Sequence, residues 1–191
     1  EVINGDIHKT NQELAGLEHR FQAKTFIFAL IYGAGDERLG KIIGGNKTQG
    51  ASLKKRFIDS LPAFKSLTKK VSKKIAVNER KTKRQFLTGL DGREIQIRNS
   101  YAGLNSLLQG GGAIIMKVAL IILDHKIKEN NLNAHFVANI HDEWQIEVEE
   151  KDAIKVGQLG IQSIKEAGNI LEMRCPLDGQ FKVGGNWSET H

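Results

Sequence analysis

Apolar side chains recur at helical spacing through most of the first half of the chain and alternate with polar ones in only two places. A short helical pattern runs from Asp6 to Leu14. A stronger one spans about Glu18 to Tyr32 and stops at Gly33-Ala34-Gly35. Asp36 is placed to cap a short helix that ends at Gly44-Gly45. Thr48 to about Val77 predicts one or two helices, with Pro62 marking a break or a kink. Alternation first appears over Phe86–Arg98, where Asp91-Gly92 between apolar positions predicts a hairpin. A long helix is expected from Tyr101 to Glu129. Its glycines, Gly110 to Gly112, each lower helix stability by roughly 1 kcal/mol relative to alanine. They fit the close approach of a large neighbour as well as a kink. A second hairpin follows, with His135–Ile140 leading into His141-Asp142 and Glu143–Val148 leading out. Trp144, Ile146 and Val148 share one face of its second arm; Glu143, Gln145 and Glu147 share the other. The pattern closes with a helix from about Asp152 to Ala167 and strand-like pieces near Glu172 and Phe181. Helices and antiparallel strands are segregated, so the class is α+β.

Composition narrows this only slightly. A chain of 191 residues, 40% hydrophobic and 26% charged, is a folded domain, or one domain and part of another. No uninterrupted apolar run approaches the roughly 20 residues that span a bilayer. The best, Ala113–Leu123, is short and carries Lys117. No membrane association is expected. The amino end lacks a secretory pattern, and the lone Cys175 excludes an internal disulfide and fits a reducing compartment. Because Glu1 is not methionine, the chain is expected to be processed or a piece of something longer.

Charge is distributed unevenly. Thirteen basic residues lie between Lys47 and Arg84 against only Asp59 and Glu79, in a chain whose net charge is +6, so the remainder is net acidic. Such a stretch fits a polyanion-binding surface, nucleic acid above all, and equally a solvated helix face.

Two glycine-rich segments resemble phosphate loops and fail. In Gly40–Thr48, Asn46 separates the second glycine from Lys47, and the segment follows a helical pattern, not a strand. Gly33-Ala34-Gly35 lacks the third glycine of a dinucleotide fingerprint, since Arg38 stands there. Arg20, Lys24 and Phe28 fall at i, i+4 and i+8, with Tyr32 one step further, so two cations and two rings form one helical stripe. That stripe suits a phosphate chain at one end and a base or sugar at the other. It also suits a half-buried helix with snorkelling cations. His141-Asp142-Glu143, at the tip of a hairpin, suits a divalent cation or an ordinary Asp-rich turn.

Together these segments resemble the family A (DNA polymerase I-like) DNA polymerases. Arg20-x-x-x-Lys24-x-x-x-Phe28-x-x-x-Tyr32-Gly33 is similar to that family's motif B, and His141-Asp142-Glu143 to its motif C. Gly5-Asp6-Ile7-His8, Gly89-Leu90-Asp91-Gly92-Arg93, Asn105-x-x-x-Gln109-Gly110 and the closing Gly185-Asn186-Trp187 to His191 follow the family's order. The wording around Asn4–His8 and Ala23–Asp36 resembles the short replicative polymerases of phages. The resemblance implies a right-hand polymerase fold, with residues 1–85 mostly helical fingers and 86–191 mostly antiparallel palm. His8, Arg20 and Lys24 would contact the phosphates of the incoming deoxynucleotide, Phe28 its sugar, and Tyr32 would lie near the templating base. Asp142 would ligate the two catalytic Mg²⁺ ions, and Glu143 would be an auxiliary carboxylate. Lys24, Asp142 and Glu143 form the implied catalytic set. His141 would lie near the primer terminus, with Asn105, Gln109 and Arg93 also on the DNA. Tyr101 stands where some relatives carry a basic residue, and the resemblance gives it no role.

One departure weighs against these matches. Clamping two metals about 3.5–4 Å apart takes more than one carboxylate. The family's second essential aspartate, in motif A, lies upstream of Gly5-Asp6-Ile7-His8, outside this sequence. The implied activity is template-directed addition of deoxynucleotides to a primer 3′-end. The implied partners are primer-template DNA, deoxynucleoside triphosphates and the missing upstream segment, in the same or a separate chain, with a processivity factor as a possible further one. The implied location is the cytoplasm, that of the bacterial host if the gene belongs to a phage. The alternatives are a non-catalytic DNA-binding remnant and a nuclease built on Asp142, which leaves the Arg20/Lys24/Phe28 stripe unused.

Overall fold

In the computed structural model, which describes residues 5–190, helices occupy nearly all of the chain up to Thr82. Helix α1 (Ile7–Ala15) starts where the Asp6 carboxylate accepts the backbone N–H groups of His8 and Lys9. It closes at Gly16, whose φ of +60° suits glycine. Helix α2 (Arg20–Ile31) is fixed at its start by the Gln22 side chain, which accepts from the His19 N–H at 3.2 Å. Helix α3 (Asp36–Ile42) is capped by Gly35, so Asp36 is its first residue and not its cap. There it still opposes the helix dipole favourably. Helices α4 (Lys47–Ser60) and α5 (Pro62–Thr82) are separate, with Pro62 at the first position of α5, where its missing N–H costs no hydrogen bond.

The chain forms two compact units. The first holds the residues up to Gly89 and Arg93–Leu108; the second holds Leu90–Gly92 and the residues from Gln109 onward. In the first, Phe26 and Phe57 meet edge to face at 5.3 Å, buried with Ala15, Leu39 and Leu53. Helices α3 and α4 meet backbone to backbone at Gly50, where a Cβ would stand 1.9 Å from the Asp36 carbonyl oxygen. Strands β1 (Phe86–Thr88) and β2 (Glu94–Gln96) form the expected hairpin, Leu87 opposite Ile95, with Gly92 at φ +83° in the turn. Leu87 and Ile97 are buried against Val71 and Ile75 of α5 and Leu104. A single 3₁₀ turn at Ser100–Ala102 leads into α6 (Gly103–Glu129).

The second unit contains β3 (Ala134–Ile140), β4 (Glu143–Val148), α7 (Ala153–Ile170) and α8 (Trp187–Thr190). The two strands pair antiparallel, with an irregularity between Phe136 and Ala138. The segments near Glu172 and Phe181 form no strand. Phe181 instead lies over Gly157 of α7, where a Cβ would come within 2.3 Å of its ring, and Leu177 packs on Gly168. The glycines of α6 do not interrupt the helix. Gly112 has nothing within 4 Å of where its Cβ would stand, so no large neighbour among the described residues explains it. By length and composition α6 is apolar enough to cross a membrane, with a mean hydropathy of 1.9 over 18 residues, which the count of uninterrupted apolar runs had missed. Its buried Ala119, Leu123 and Ile127 recur every four residues on one face, Ile114 lies on another, and 22% of the window is buried.

Candidate functional site

Helix α2 turns Ala23, Phe26 and Ala29 inward, which leaves Arg20, Lys24, Phe28 and Tyr32 on its solvent side. Phe28 is 44% and Tyr32 53% exposed. The stripe is therefore not the half-buried face of snorkelling cations. The two rings lie near-parallel, 6.4 Å apart, and the His8 ring stands 6.2 Å from Phe28. Two consecutive helices thus present an imidazole, two exposed rings and two cations together. Lys24 makes no ion pair among the described residues.

Arg20 is held. Asp6 accepts from its Nε at 2.6 Å and its Nη2 at 3.0 Å. The guanidinium pulls the Asp6 carboxyl down to about 2, and the carboxylate raises Arg20 in return. His8 Nδ1 is buried with no hydrogen-bond partner among the described residues. Asn105 Oδ1 is in the same state, one turn before the exposed Gln109 on α6. Tyr101, 65% exposed, packs on Gly33, the residue after Tyr32. That contact gives Tyr101 a place which its sequence position alone did not. Arg93 is exposed in the β1–β2 turn.

In the second unit, β3 and β4 join through His141-Asp142, with Ile140 paired to Glu143. His141 has φ +55°, an uncommon conformation outside glycine that persists where the surroundings fix it. Both turn residues are exposed, and Asp142 has no hydrogen-bond or ion-pair partner among the described residues. Glu143 is half-buried and accepts from the Gln145 amide, whose oxygen in turn accepts from Thr190 Oγ1 at 3.2 Å. An open cavity of about 1170 Å³ lies beneath, lined by Met116, Asp142, Trp144, Val156 and Phe181 among others. Trp144 Nε1 is buried there without a hydrogen-bond partner among the described residues. No group of three or more His, Cys, Asp or Glu among the described residues can hold a metal ion. The donor set at the tip is one unengaged carboxylate beside an engaged one, so these residues do not form a two-metal centre by themselves.

The comparisons with known proteins decide the family. The profile described as DNA polymerase family A matches residues 3–189. The chain belongs to DNA polymerase family A. It is 36% identical over its whole length to the DNA-directed DNA polymerase of Enterobacteria phage T3 and 38% to that of Escherichia phage Phieco32. It spans 29% and 31% of those proteins, about three-tenths of their length. Among solved structures it resembles the polymerase domain of Pol1 from M. smegmatis, in complex with DNA primer-template and dNTP. The TM-score is 0.71 at 22% identity, covering 85% of this chain and 31% of that one. The fold is thus the α+β polymerase fold, and the relatives are of the phage type.

Within this family A chain, most side chains of the basic stretch are exposed. Asp59 engages Lys55 and Lys65, Asp36 engages Lys54, and Glu94 engages Arg84. Lys69, Lys70, Lys73, Lys74, Arg80 and Lys81 remain exposed with no ion pair among the described residues. Sequence reasoning missed two links, Asp6 to Arg20 and Gln145 to Thr190. Neither link has a signal in local spacing, since each joins residues of different elements.

Proposed function

We propose that this chain is the part of a DNA-directed DNA polymerase that grips the incoming nucleotide and presents the primer terminus. Residues up to about 85 would be mostly fingers and the rest mostly palm. The observation that carries the reading is the exposed stripe of α2 with His8 beside it. Large rings exposed beside the unpaired Lys24 and an Arg20 held by Asp6 are suited to a ligand with a flat, apolar part and a polyanionic tail. In this reading Arg20, Lys24 and His8 bind the triphosphate, Phe28 meets the sugar and Tyr32 the templating base. Asn105 and Gln109 reach the minor groove of the primer-template, where acceptor positions are common to all base pairs. His141 and Arg93 also lie on the DNA. The primer-template and dNTP in the M. smegmatis Pol1 complex support these partners.

Asp142 supplies one carboxylate to a Mg²⁺ centre, Glu143 stands beside it, and a further carboxylate comes from the upstream segment, in the same chain or another. The ions would offset charge on the reacting phosphate when bound. This chain's own residues bind and orient the nucleotide. The unpartnered Trp144 N–H and the two-stranded sheet, marginal alone, support the cavity as the place where the upstream segment packs. Alone, the chain extends nothing.

Lys24→Ala in the polymerase completed with its upstream segment tests the grip. The dNTP KM should rise about tenfold or more, since a charge-assisted hydrogen bond to phosphate is removed. An unchanged KM returns the stripe to an ordinary surface. The carboxylate-poor tip also favours a second reading, a DNA-binding remnant without catalysis, which the same preparation excludes by extending a primer.

A further inference from the structure

Asp6 makes four contacts through one carboxylate. Oδ1 accepts from the backbone N–H groups of His8 and Lys9 at 3.0 and 3.2 Å and from Arg20 Nη2 at 3.0 Å; Oδ2 accepts from Arg20 Nε at 2.6 Å. The first two fix the start of α1 and with it the backbone of His8. The other two hold the guanidinium at the start of α2 in a two-pronged fork, the geometry that restricts an arginine most. One side chain therefore sets the position of two residues fourteen and two places away in sequence, on different helices.

Neither ordinary role explains this arrangement. Capping does not require it, because serine or asparagine caps a helix as well as aspartate. Stability does not require it, because the paired side chains are 55% and 41% exposed and such pairs contribute little. Beside a polyanion the carboxylate is also unfavourable in charge. What remains is orientation. A guanidinium has five N–H donors, and Asp6 occupies two, which leaves three to engage a phosphate from a fixed direction.

We infer that Asp6 is a positioning residue of the nucleotide site, acting through Arg20 and the His8 backbone to aim both at the triphosphate. The inference rests on the nucleotide-binding reading of α2 given above. It separates from a mere surface ion pair by sign. If Asp6 only adds negative charge near a triphosphate, its removal strengthens nucleotide binding; if it orients Arg20, its removal weakens binding.

The test uses the polymerase completed with its upstream segment, with steady-state kinetics in dNTP at saturating primer-template and magnesium. Asp6→Asn keeps a capping acceptor and removes the charge, and Asp6→Ser keeps the cap with a hydroxyl too short to form the fork. Both should raise KM by about tenfold and leave kcat within about twofold, with only the small fall in unfolding midpoint that an exposed ion pair gives. In an Arg20→Lys background, Asp6→Asn should add less than about twofold, because the residue it acts through is already altered. A KM that is unchanged or lowered in both variants overturns the inference, as does a full effect that persists with Arg20→Lys. Arg20→Lys alone reports on the underlying reading. If it leaves KM unchanged, the nucleotide assignment of α2 fails, whereas a raised KM with silent Asp6 variants removes only the role given to Asp6.

Discussion

Replacing Gly33 by alanine probes how the end of α2 is set beside Tyr101. Gly33 has φ +77°, a conformation that costs an L-residue roughly 1–2 kcal/mol. A Cβ there would also stand 2.8 Å from Tyr101 Cδ2 and 3.0 Å from its carbonyl oxygen. The ring is 65% exposed and can swing aside. The carbonyl belongs to the backbone just before α6 and cannot move alone, so overpacking adds about 1–3 kcal/mol. The expected destabilisation is about 2–5 kcal/mol, the sum of the two, read by urea unfolding of the purified chain followed by circular dichroism. Gly33→Ala combined with Tyr101→Ala should recover only the ring's share, leaving the backbone strain. Gly112→Ala is the control: nothing lies within 4 Å of its Cβ position and it stands inside α6, so it should not destabilise the parent. Gly33→Ala with the stability of the parent would refute the packing described here. In the completed polymerase the same variant should also raise the dNTP KM, because Tyr32 shifts away from its stacked position beside Phe28.

Three further outcomes follow from particular side chains. Phe28 lacks a hydroxyl, so a dideoxynucleotide leaves a polar gap unfilled; Phe28→Tyr should reduce discrimination against dideoxynucleotides by about tenfold or more, measured by competitive incorporation. Lys73→Ala with Lys74→Ala should flatten the log–log salt dependence of DNA binding by about 0.9 for each phosphate that is no longer neutralised, and an unchanged slope would make the α5 face a solvated one. The Asp6 carboxyl is held at about 2 against an ordinary 3.8, so its contribution to stability is present above pH 3.8 and is lost as pH falls through about 2. Asp6→Asn should remove that part of the acid transition, seen in unfolding midpoints measured from pH 5 to 2; an identical acid profile would show that the pair does not persist in solution.

The helices and both hairpins were legible because the sequence repeats its apolar positions at the right periods and marks its turns with Asp91-Gly92 and His141-Asp142. Pro62 was legible as a boundary but not as the first residue of a new helix. The strand-like run near Phe181 misled because the Phe181 ring packs over Gly157 of α7, and no strand among the described residues pairs with the run. The motif B stripe was visible in spacing, yet its exposure was not, since periodicity alone does not say which face a helix buries. The Asp6–Arg20 fork is a tertiary contact between two helices, and no local pattern encodes it. Asp142 was legible as a residue of the β3–β4 turn, whereas nothing in the local pattern says what would complete a metal site around it.

The most direct test of the central claim is primer extension with and without the upstream segment. The 191-residue chain alone, freed of contaminating polymerase, should add no nucleotide to a primed template in Mg²⁺. Supplying the upstream segment proposed to carry a further carboxylate should give template-directed extension. Asp142→Ala in that preparation should abolish extension while leaving DNA binding nearly intact. Extension by the chain alone, or near-normal turnover by the completed enzyme carrying Asp142→Ala, would contradict the account.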